Sequence, residues 1–156
     1  TLFERLFAEA LNLHSRFPSM VLGYVYLLPK VGYSDEAAKE KRVERTERYD
    51  LEKFISSFLS ITGRTDPQDA PWKYERLCLL IVDFAKDPPE VIDDIQKLVD
   101  NGRVSEKFAE SEFGHRFKEL LIHDFFDELY KILLRRFPLL KDLISGASSS
   151  SLLTWF

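Results

Sequence analysis

The side chains that could do chemistry in this chain are scattered, and no complete catalytic motif joins them. Metal-assisted hydrolysis of a phosphodiester needs two or three carboxylates to hold Mg²⁺ and a lysine that orients water or stabilises developing charge. On a sheet these groups come as an Asp followed, on the next strand, by Glu-x-Lys, and the sequence contains no Asp/Glu-x-Lys triplet. Asp83 and Lys86 are one position too far apart, so Asp83 is more simply a turn residue at a strand end.

The three histidines also lack partners at metal-ligand spacing. His14, His115 and His123 lie apart, and none has a second histidine or a cysteine four positions away, as helical zinc sites usually need. Arg116 and His123 resemble the Arg-x(4–6)-His pair of HEPN ribonucleases, which would polarise an RNA ribose and phosphate. That family is entirely helical, whereas this chain has two apolar segments of strand character.

Those two segments predict the strands that must position any site. Trp72 to Phe84 leads from charged and aromatic residues into six consecutive apolar ones, and Met20 to Leu28 has the same character. Short apolar runs bounded by turn residues are typical of strands buried on both faces. We therefore expect strands near 20–28 and 77–84.

Helical periodicity accounts for most of the remaining chain. Amphipathic helices are predicted at 2–16, at 51–61, after Pro88-Pro89 with Val91 and Ile92 on its apolar side, and at 111–137. A further helix, rich in charge and poor in apolar residues, is predicted over 35–53 with Ser34 as its N-cap. These elements predict an α/β sandwich with a small buried sheet, helices on both sides and a helix-rich C-terminal half. The 156 residues suit one domain over 1–144, followed by a flexible Gly/Ser/Ala tail over 145–156.

The segment 35–53 is unusually charged, with acidic and basic residues in nearly equal number. One interpretation is a solvated helix held by pairs such as Glu44 with Arg48. The other is a basic arm that presents Lys41, Arg42, Arg45 and Arg48 to a phosphate backbone.

Composition narrows the class of protein further. The chain has 26 acidic and 22 basic residues, a formal net charge of −4, which disfavours non-specific attraction to nucleic acid. Its single cysteine, Cys78, lies within the apolar run and is expected to be a small buried side chain. With no cleavable signal pattern and no apolar stretch long enough to span a bilayer, we expect a soluble cytoplasmic protein with no membrane partner.

The order and the local sequence of the segments within residues 1–100 resemble those of a known protein family. A helix is followed by Arg-Phe-Pro, Gly-Tyr-Val-Tyr-Leu-Leu-Pro, Gly-Arg-Thr-Asp-Pro and Trp-Lys-Tyr-Glu-Arg-Leu-Cys-Leu-Leu-Ile-Val-Asp. This order is similar to the C-terminal portion of bacterial restriction endonuclease-like proteins of the PD-(D/E)XK superfamily. There a helix follows the catalytic strands, and two further strands with helices complete the sheet.

The resemblance implies a DNA-binding, non-catalytic portion of a Mg²⁺-dependent restriction-type DNA endonuclease of bacterial defence. Its catalytic Asp and Glu-x-Lys would precede Thr1, and Glu4 stands where such proteins carry a helix glutamate near the metal. Contacts to double-stranded DNA are expected from basic residues at loop ends. The candidates are Lys30, Arg64, Lys73 and Arg76.

A second class of function remains open on the same residues. The Phe-rich segment 111–137 has apolar residues around much of its predicted circumference, so it must cover a sheet or a partner. The alternative is therefore a helix-rich protein-interaction module without catalysis, able to form a homodimer through this helix.

Overall fold

The sheet and helices are seen in a computed structural model that describes residues 1–33, 35–42, 45–46 and 50–146. Helices and strands follow one another along the chain with short connections. In order they are α1 (Leu2–Arg16), β1 (Gly23–Pro29), β2 (Gly32–Tyr33), α2 (Asp35–Lys39), β3 (Arg45–Thr46), α3 (Leu51–Ser60), β4 (Arg76–Asp83), β5 (Glu90–Ile92), α4 (Ile95–Asp100), α5 (Glu106–Ala109), α6 (Glu112–Arg116), a 3-10 helix (Phe117–Leu120), α7 (Phe125–Arg136) and α8 (Pro138–Gly146).

The main sheet has three strands in the order β1-β4-β5. β1 and β4 are parallel, in a register that sets Gly23 beside Arg76 and Pro29 beside Val82. β5 runs antiparallel to β4, with Val91 beside Val82, while β2 and β3 form a separate antiparallel ribbon. This small mixed sheet among helices confirms the predicted α/β class.

One face of the sheet carries the main core. Leu77, Leu79 and Ile81 of β4 are fully buried there against residues of α1 and α3. From β1, Tyr26 packs on the same side, 6.3 Å from Phe54 and 5.9 Å from Phe58 between ring centroids. α1 and α3 therefore lie on the same face of the parallel pair.

The opposite face is covered only in part, by α7. A Cβ on Gly23 would come within 2.5 Å of a Leu129 methyl and 3.0 Å of the Phe125 ring, so the absence of a side chain lets α7 approach β1 closely. Cys78, on the same face, is completely buried. Helices thus lie on both sides of the sheet, as predicted.

The expectation that both strands are buried on both faces holds for β4 and is wrong for β1. Along β1 exposed and partly buried residues alternate, and Val25 and Leu27 remain 42% and 50% exposed. The physical reason is helix cover, because Val25 and Leu27 lie on the face opposite α1 and α3, where α7 packs against Gly23 at the start of the strand. Among the described residues β1 also pairs only with β4, whereas β4 lies between β1 and β5.

The predicted single helix 111–137 is wrong as well. The chain divides there into α6, a 3-10 helix and α7, with a turn between Leu120 and Phe125. Phe117 and Leu120 belong to the main core, whereas Phe125 of α7 lies against Gly23 on the other face of the sheet. One straight helix cannot reach both faces of the sheet. The apolar residues of 111–137 are therefore divided between segments that pack on different faces.

Two other predicted helices are shorter than expected. Residues 90–92 form β5, so the helix predicted from Val91 and Ile92 begins only at Ile95, after the chain has paired with β4. α2 ends at Lys39, and Lys41 has a φ of 57°, which does not continue a helix.

Parts of the charged segment and of the tail lie outside the described residues. These are Ser34, Glu44 and Arg48, which entered the prediction of that helix, and 147–156 of the expected tail. Among the described helices, none combines the length and apolar character needed to cross a membrane.

Candidate functional site

A buried ionic network lies at the amino ends of the two parallel strands. Backbone hydrogen bonds bring the connection after α3 alongside the segment that enters β4: Gly63 N donates to Glu75 O (3.3 Å) and Arg64 N to Tyr74 O (3.0 Å). This pairing places the Arg64 and Glu75 side chains in the interior, with 1% and 0% of the residue exposed.

Glu75 is the centre of the network. One carboxylate oxygen accepts from Arg64 Nη1 and from Arg136 Nη1, each at 2.6 Å. The other accepts from the backbone N–H of Leu22 at 2.8 Å and lies 3.2 Å from His14 Nε2. Charge-assisted hydrogen bonds of this length are among the stronger ones in proteins. A single carboxylate therefore joins α1, the start of β1, the entry to β4 and the end of α7.

Both arginines also donate to backbone carbonyls, although the buried Nε of Arg136 has no hydrogen-bond partner among the described residues. Arg64 Nη2 donates to the carbonyls of Pro18 and Pro67, both at 2.8 Å. Arg136 donates to Met20 O and Thr65 O, also at 2.8 Å each. In this arrangement the Arg64 guanidinium group is buried and already hydrogen-bonded, so it is not available to a DNA phosphate. The predicted contact between Arg64 and DNA does not fit this position.

His14 is held between oxygen atoms on both sides of its ring. Nδ1 lies 2.9 Å from Pro71 O, and Nε2 lies 3.1 Å from Met20 O. Neutral imidazole has one N–H and cationic imidazolium has two, so only the cation donates on both sides. The ring is fully enclosed and has no open nitrogen for acid–base chemistry.

The Glu75 network has a structural role. Buried charges are tolerated when they are paired and hydrogen-bonded, and removing one partner is costly. A shallow cavity of about 320 Å³ lies beside it, lined by Ser19, Thr65, Asp66, Pro67, Arg135 and Arg136. Because the Glu75 carboxylate is completely buried, it cannot act on a substrate in that cavity.

A second ionic pair lies at the carboxyl ends of β1 and β4. Lys30 Nζ donates to Asp83 Oδ2 at 2.8 Å and to Asn101 Oδ1 at 3.2 Å. The hydrogen bond from Lys30, together with the one from Ala85 N–H, holds the pKa of Asp83 below its usual value. Lys30 is therefore already paired, although part of its side chain reaches solvent.

Arg76 and Lys73 lie at the amino end of β4. Arg76 Nη2 donates to Glu128 Oε2 of α7 at 3.0 Å, which keeps the pKa of Glu128 low. Arg76 lines a cavity of about 420 Å³ that contains Lys118 but also three carboxylates, Glu119, Asp124 and Glu128. That mixture of charges does not favour a phosphate. Lys73 is half-buried just before the strand.

The four expected DNA contacts do not converge. β1 and β4 run in parallel, so Lys30 at the end of β1 and Lys73 before β4 lie at opposite ends of the sheet. A strand of this length spans roughly 20 Å. The structure thus divides the predicted set, and of its members Lys73 is best placed to meet a ligand.

Glu4 has a local structural role at the start of α1. Its carboxylate accepts from the amino group of Thr1 at 2.8 Å, and its N–H donates to the Thr1 hydroxyl. Within the described part of the chain, no group of three His, Cys, Asp or Glu residues is placed to hold a metal ion.

Arg116 and His123 do not share a helix. Arg116 ends α6 and donates to Glu119 Oε2 at 2.7 Å, while His123 is exposed in the turn before α7, 3.7 Å from Asp124. The α/β sheet also excludes the all-helical HEPN architecture.

Sequence reasoning missed the Glu75 network entirely. The partners of Glu75 come from separate parts of the chain, and no local periodicity links them. The available signal was a glutamate immediately before a central strand, where an unpaired charge would be costly.

Comparisons with protein-family models, curated proteins and solved structures gave no match to this chain.

Proposed function

We propose that this chain is a DNA-binding, non-catalytic portion of a Mg²⁺-dependent restriction-type DNA endonuclease. One observation carries the proposal: among the described residues, the sheet has no strand beside β1 on the side away from β4, and α1 lies on the same face of the sheet as α3. This arrangement suits a sheet that continues beyond β1.

The position of α1 indicates where such a continuation would pair. Connections between parallel strands are right-handed in nearly all proteins, so successive crossovers in one direction place their helices on one face. α3 connects β1 to β4 on that face. A strand that precedes α1 and runs parallel to β1 would therefore lie against the free edge of β1, away from β4.

The chemistry of β1 favours the same interpretation. Its sequence, Gly-Tyr-Val-Tyr-Leu-Leu-Pro, contains no charge, although charges usually protect a free edge from unwanted pairing. Val25 and Leu27 also present exposed apolar side chains. A strand added beside β1 would form backbone hydrogen bonds with it. The resemblance to PD-(D/E)XK proteins implies that the catalytic Asp and Glu-x-Lys lie on strands of this kind.

Lys73 is the DNA contact that this proposal retains. It follows the partly exposed Trp72, whose ring is stacked on Phe7 at 5.8 Å, so the backbone that carries Lys73 is anchored to α1. A lysine on such a fixed segment can donate to a phosphate oxygen. Lys30 and Arg76 each already pair with a carboxylate, which offsets the positive charge that they could offer to a phosphate.

Three measurements test the proposal: the coding sequence upstream of Thr1, DNA cleavage and DNA binding. The segment encoded upstream of Thr1 should contain strand-borne Asp and Glu-x-Lys, and the full-length protein should cleave double-stranded DNA with Mg²⁺ and lose cleavage when that lysine becomes alanine. In the 156-residue chain, Lys73→Glu should weaken DNA binding and reduce the salt slope by about one. Lys107→Glu, on α5, is the matched control. Absence of the upstream motif, or equal binding by both variants, would reject the proposal.

The second candidate is a protein-interaction module without catalysis. The observation that favours it is a set of exposed apolar side chains on the outer side of α7 and α8. Monomeric proteins rarely leave a large contiguous apolar surface uncovered. The residues concerned are Phe126, Tyr130, Phe137, Leu139 and Leu143.

A further inference from the structure

The buried network around Glu75 carries more positive than negative charge. Its one carboxylate accepts from the guanidinium groups of Arg64 and Arg136, and these three side chains are at most 3% exposed. The set therefore holds one surplus positive charge, and a protonated His14 would add a second. A surplus charge in the interior is costly unless a counter-charge lies nearby.

The loop that covers Arg64 carries two carboxylates, and both are exposed. Asp69 Oδ2 accepts from the backbone N–H groups of Thr65 and Asp66 at 3.1 and 3.0 Å, and Asp66 Oδ1 accepts from that of Gln68 at 2.8 Å. Neither carboxylate forms an ion pair with a guanidinium group of the network among the described residues. Solvent weakens the compensation that such exposed groups give to a buried charge.

The cavity of about 320 Å³ beside the network is bordered by donors that are still available. Arg136 lines it, and the buried Nε of this residue has no hydrogen-bond partner among the described residues. Arg135 lines it too, is exposed, and has no ion-pair partner within the described part of the chain. The rest of the polar lining comes from Ser19, Thr65 and one acidic residue, Asp66. Basic groups therefore outnumber acidic ones on a surface that adjoins a positively charged interior.

We infer that this cavity binds a phosphate group, with Arg135 as its direct ligand and the buried network as the source of a positive field. Guanidinium and hydroxyl groups are donors that suit the several acceptor oxygens of a phosphate. Ligand cavities usually measure roughly 300–1,000 Å³, so this one has room for the ester substituent of a phosphate as well. Because the site is defined by its own charges, it stands independently of the proposed nuclease function.

Titration with inorganic phosphate, followed by NMR of isotope-labelled protein, tests the site. Phosphate should shift the backbone amide signals of Thr65 and Asp66 and the Nε–H signal of Arg135. The shifts should saturate by about 20 mM phosphate with a Kd of about 1 mM, in a buffer whose ionic strength is held constant with chloride. Chloride alone at the same ionic strength should leave these signals in place.

Two substitutions in the cavity wall should move the affinity in opposite directions. Arg135→Gln should raise the Kd about tenfold, the effect expected for the loss of one charge-assisted hydrogen bond. Asp66→Asn should lower the Kd about threefold, because it removes a negative charge but keeps the oxygen that accepts from Gln68. Lys131→Gln is the matched control, since it removes a positive charge from α7 one turn before Arg135 and outside the cavity lining. Its Kd should stay within about twofold of wild type.

Three results would overturn the proposal. They are shifts that grow without saturating, shifts that chloride reproduces, and an Arg135→Gln variant that binds phosphate as well as Lys131→Gln does. Arg135 would then serve only to complement the carboxyl end of α7, where the helix dipole favours a basic residue.

A short DNA duplex identifies the source of the phosphate group. If the duplex shifts the same signals and inorganic phosphate competes with it, the cavity takes a phosphate of the DNA backbone. If inorganic phosphate saturates the cavity and the duplex leaves the signals in place, the ligand is a small phosphate compound. Either result supports the site, and the nuclease proposal is decided separately by Lys73→Glu.

Discussion

The two ends of the β1–β4 pair hold the same kinds of charged groups in different surroundings. At the amino ends, Glu75 is completely buried and accepts from Arg64, Arg136 and a backbone N–H. At the carboxyl ends, Asp83 accepts from Lys30 and Ala85, and both members of the pair retain some contact with solvent. The first group joins four parts of the chain, and the second joins the ends of two neighbouring strands.

The difference shows that burial, more than ion-pair distance, decides what such a group contributes. The side chains of Lys30 and Asp83 keep 17% and 9% of their surface exposed, so water can partly solvate either one if its partner is lost, whereas the fully enclosed Glu75 network would be left with an uncompensated charge. The amino-end network should therefore control stability, and the carboxyl-end pair should make a small contribution that depends on pH. Three substitutions separate these roles.

The largest effect is expected from Glu75→Gln. The change preserves shape but leaves two buried guanidinium groups and His14 without their carboxylate, so we expect a loss of about 3–5 kcal/mol in the free energy of unfolding. Urea denaturation measures it. Glu119→Gln is the matched control, because Glu119 also pairs with an arginine but lies at the surface, and its effect should stay within about 0.5 kcal/mol. A loss below about 1 kcal/mol at Glu75 would show that the network is not structural.

Arg136→Met should have an intermediate effect and should act on α7. Arg64 still pairs with Glu75 in this variant, but α7 loses its hydrogen bonds to Met20 O and Thr65 O, so we expect a loss of about 2 kcal/mol. Weaker anchoring of α7 should also open the sheet face that it covers.

Cys78 reports that opening. Burial raises the pKa of its thiol to about 11, so a thiol reagent at neutral pH should react very slowly with the native protein. Arg136→Met should accelerate the reaction about tenfold or more. Arg135→Met, one position away on the exposed side, should leave the rate unchanged at low protein concentration. Equal rates in the two variants would indicate that Arg136 does not hold α7 in place.

The sequence was sufficient for the elements whose signal is local. The uncharged apolar run at 77–82 predicted β4, and the periodicity of 2–16 predicted α1. The burial of β1 could not be predicted, because it depends on the position of that strand in the sheet and on which helices cover its faces. The break before Phe125 could not be predicted either, because it depends on which face of the sheet each aromatic ring contacts. Both are properties of the tertiary arrangement.

The Glu75 network illustrates the same limit for the site. Glu75 is separated from its arginine partners by 11 and 61 positions, so no motif could link them in advance. Arg64 was expected to contact DNA because it is a basic residue at a loop end, between Gly63 and Pro67. In the structure, that loop folds over the arginine, and its carbonyls accept the guanidinium hydrogen bonds.

The smallest effect is expected from Asp83→Asn at the carboxyl ends, and it should depend on pH. Because the pKa of Asp83 is lower in the folded protein than its ordinary value of 3.8, the folded state binds this proton less readily than the unfolded chain. The stabilisation from Asp83 is then fully present above that ordinary value and is lost as pH falls through the folded-state pKa. We expect the variant to be about 1 kcal/mol less stable than wild type near pH 6, and the difference to shrink as pH falls below the ordinary value of 3.8. Urea denaturation across this range measures the difference, with Lys30→Met as the reciprocal change. A difference that is independent of pH would mean that the charge of the Asp83 carboxylate does not contribute to stability, and the contrast between the two ends of the strands would then rest on burial alone.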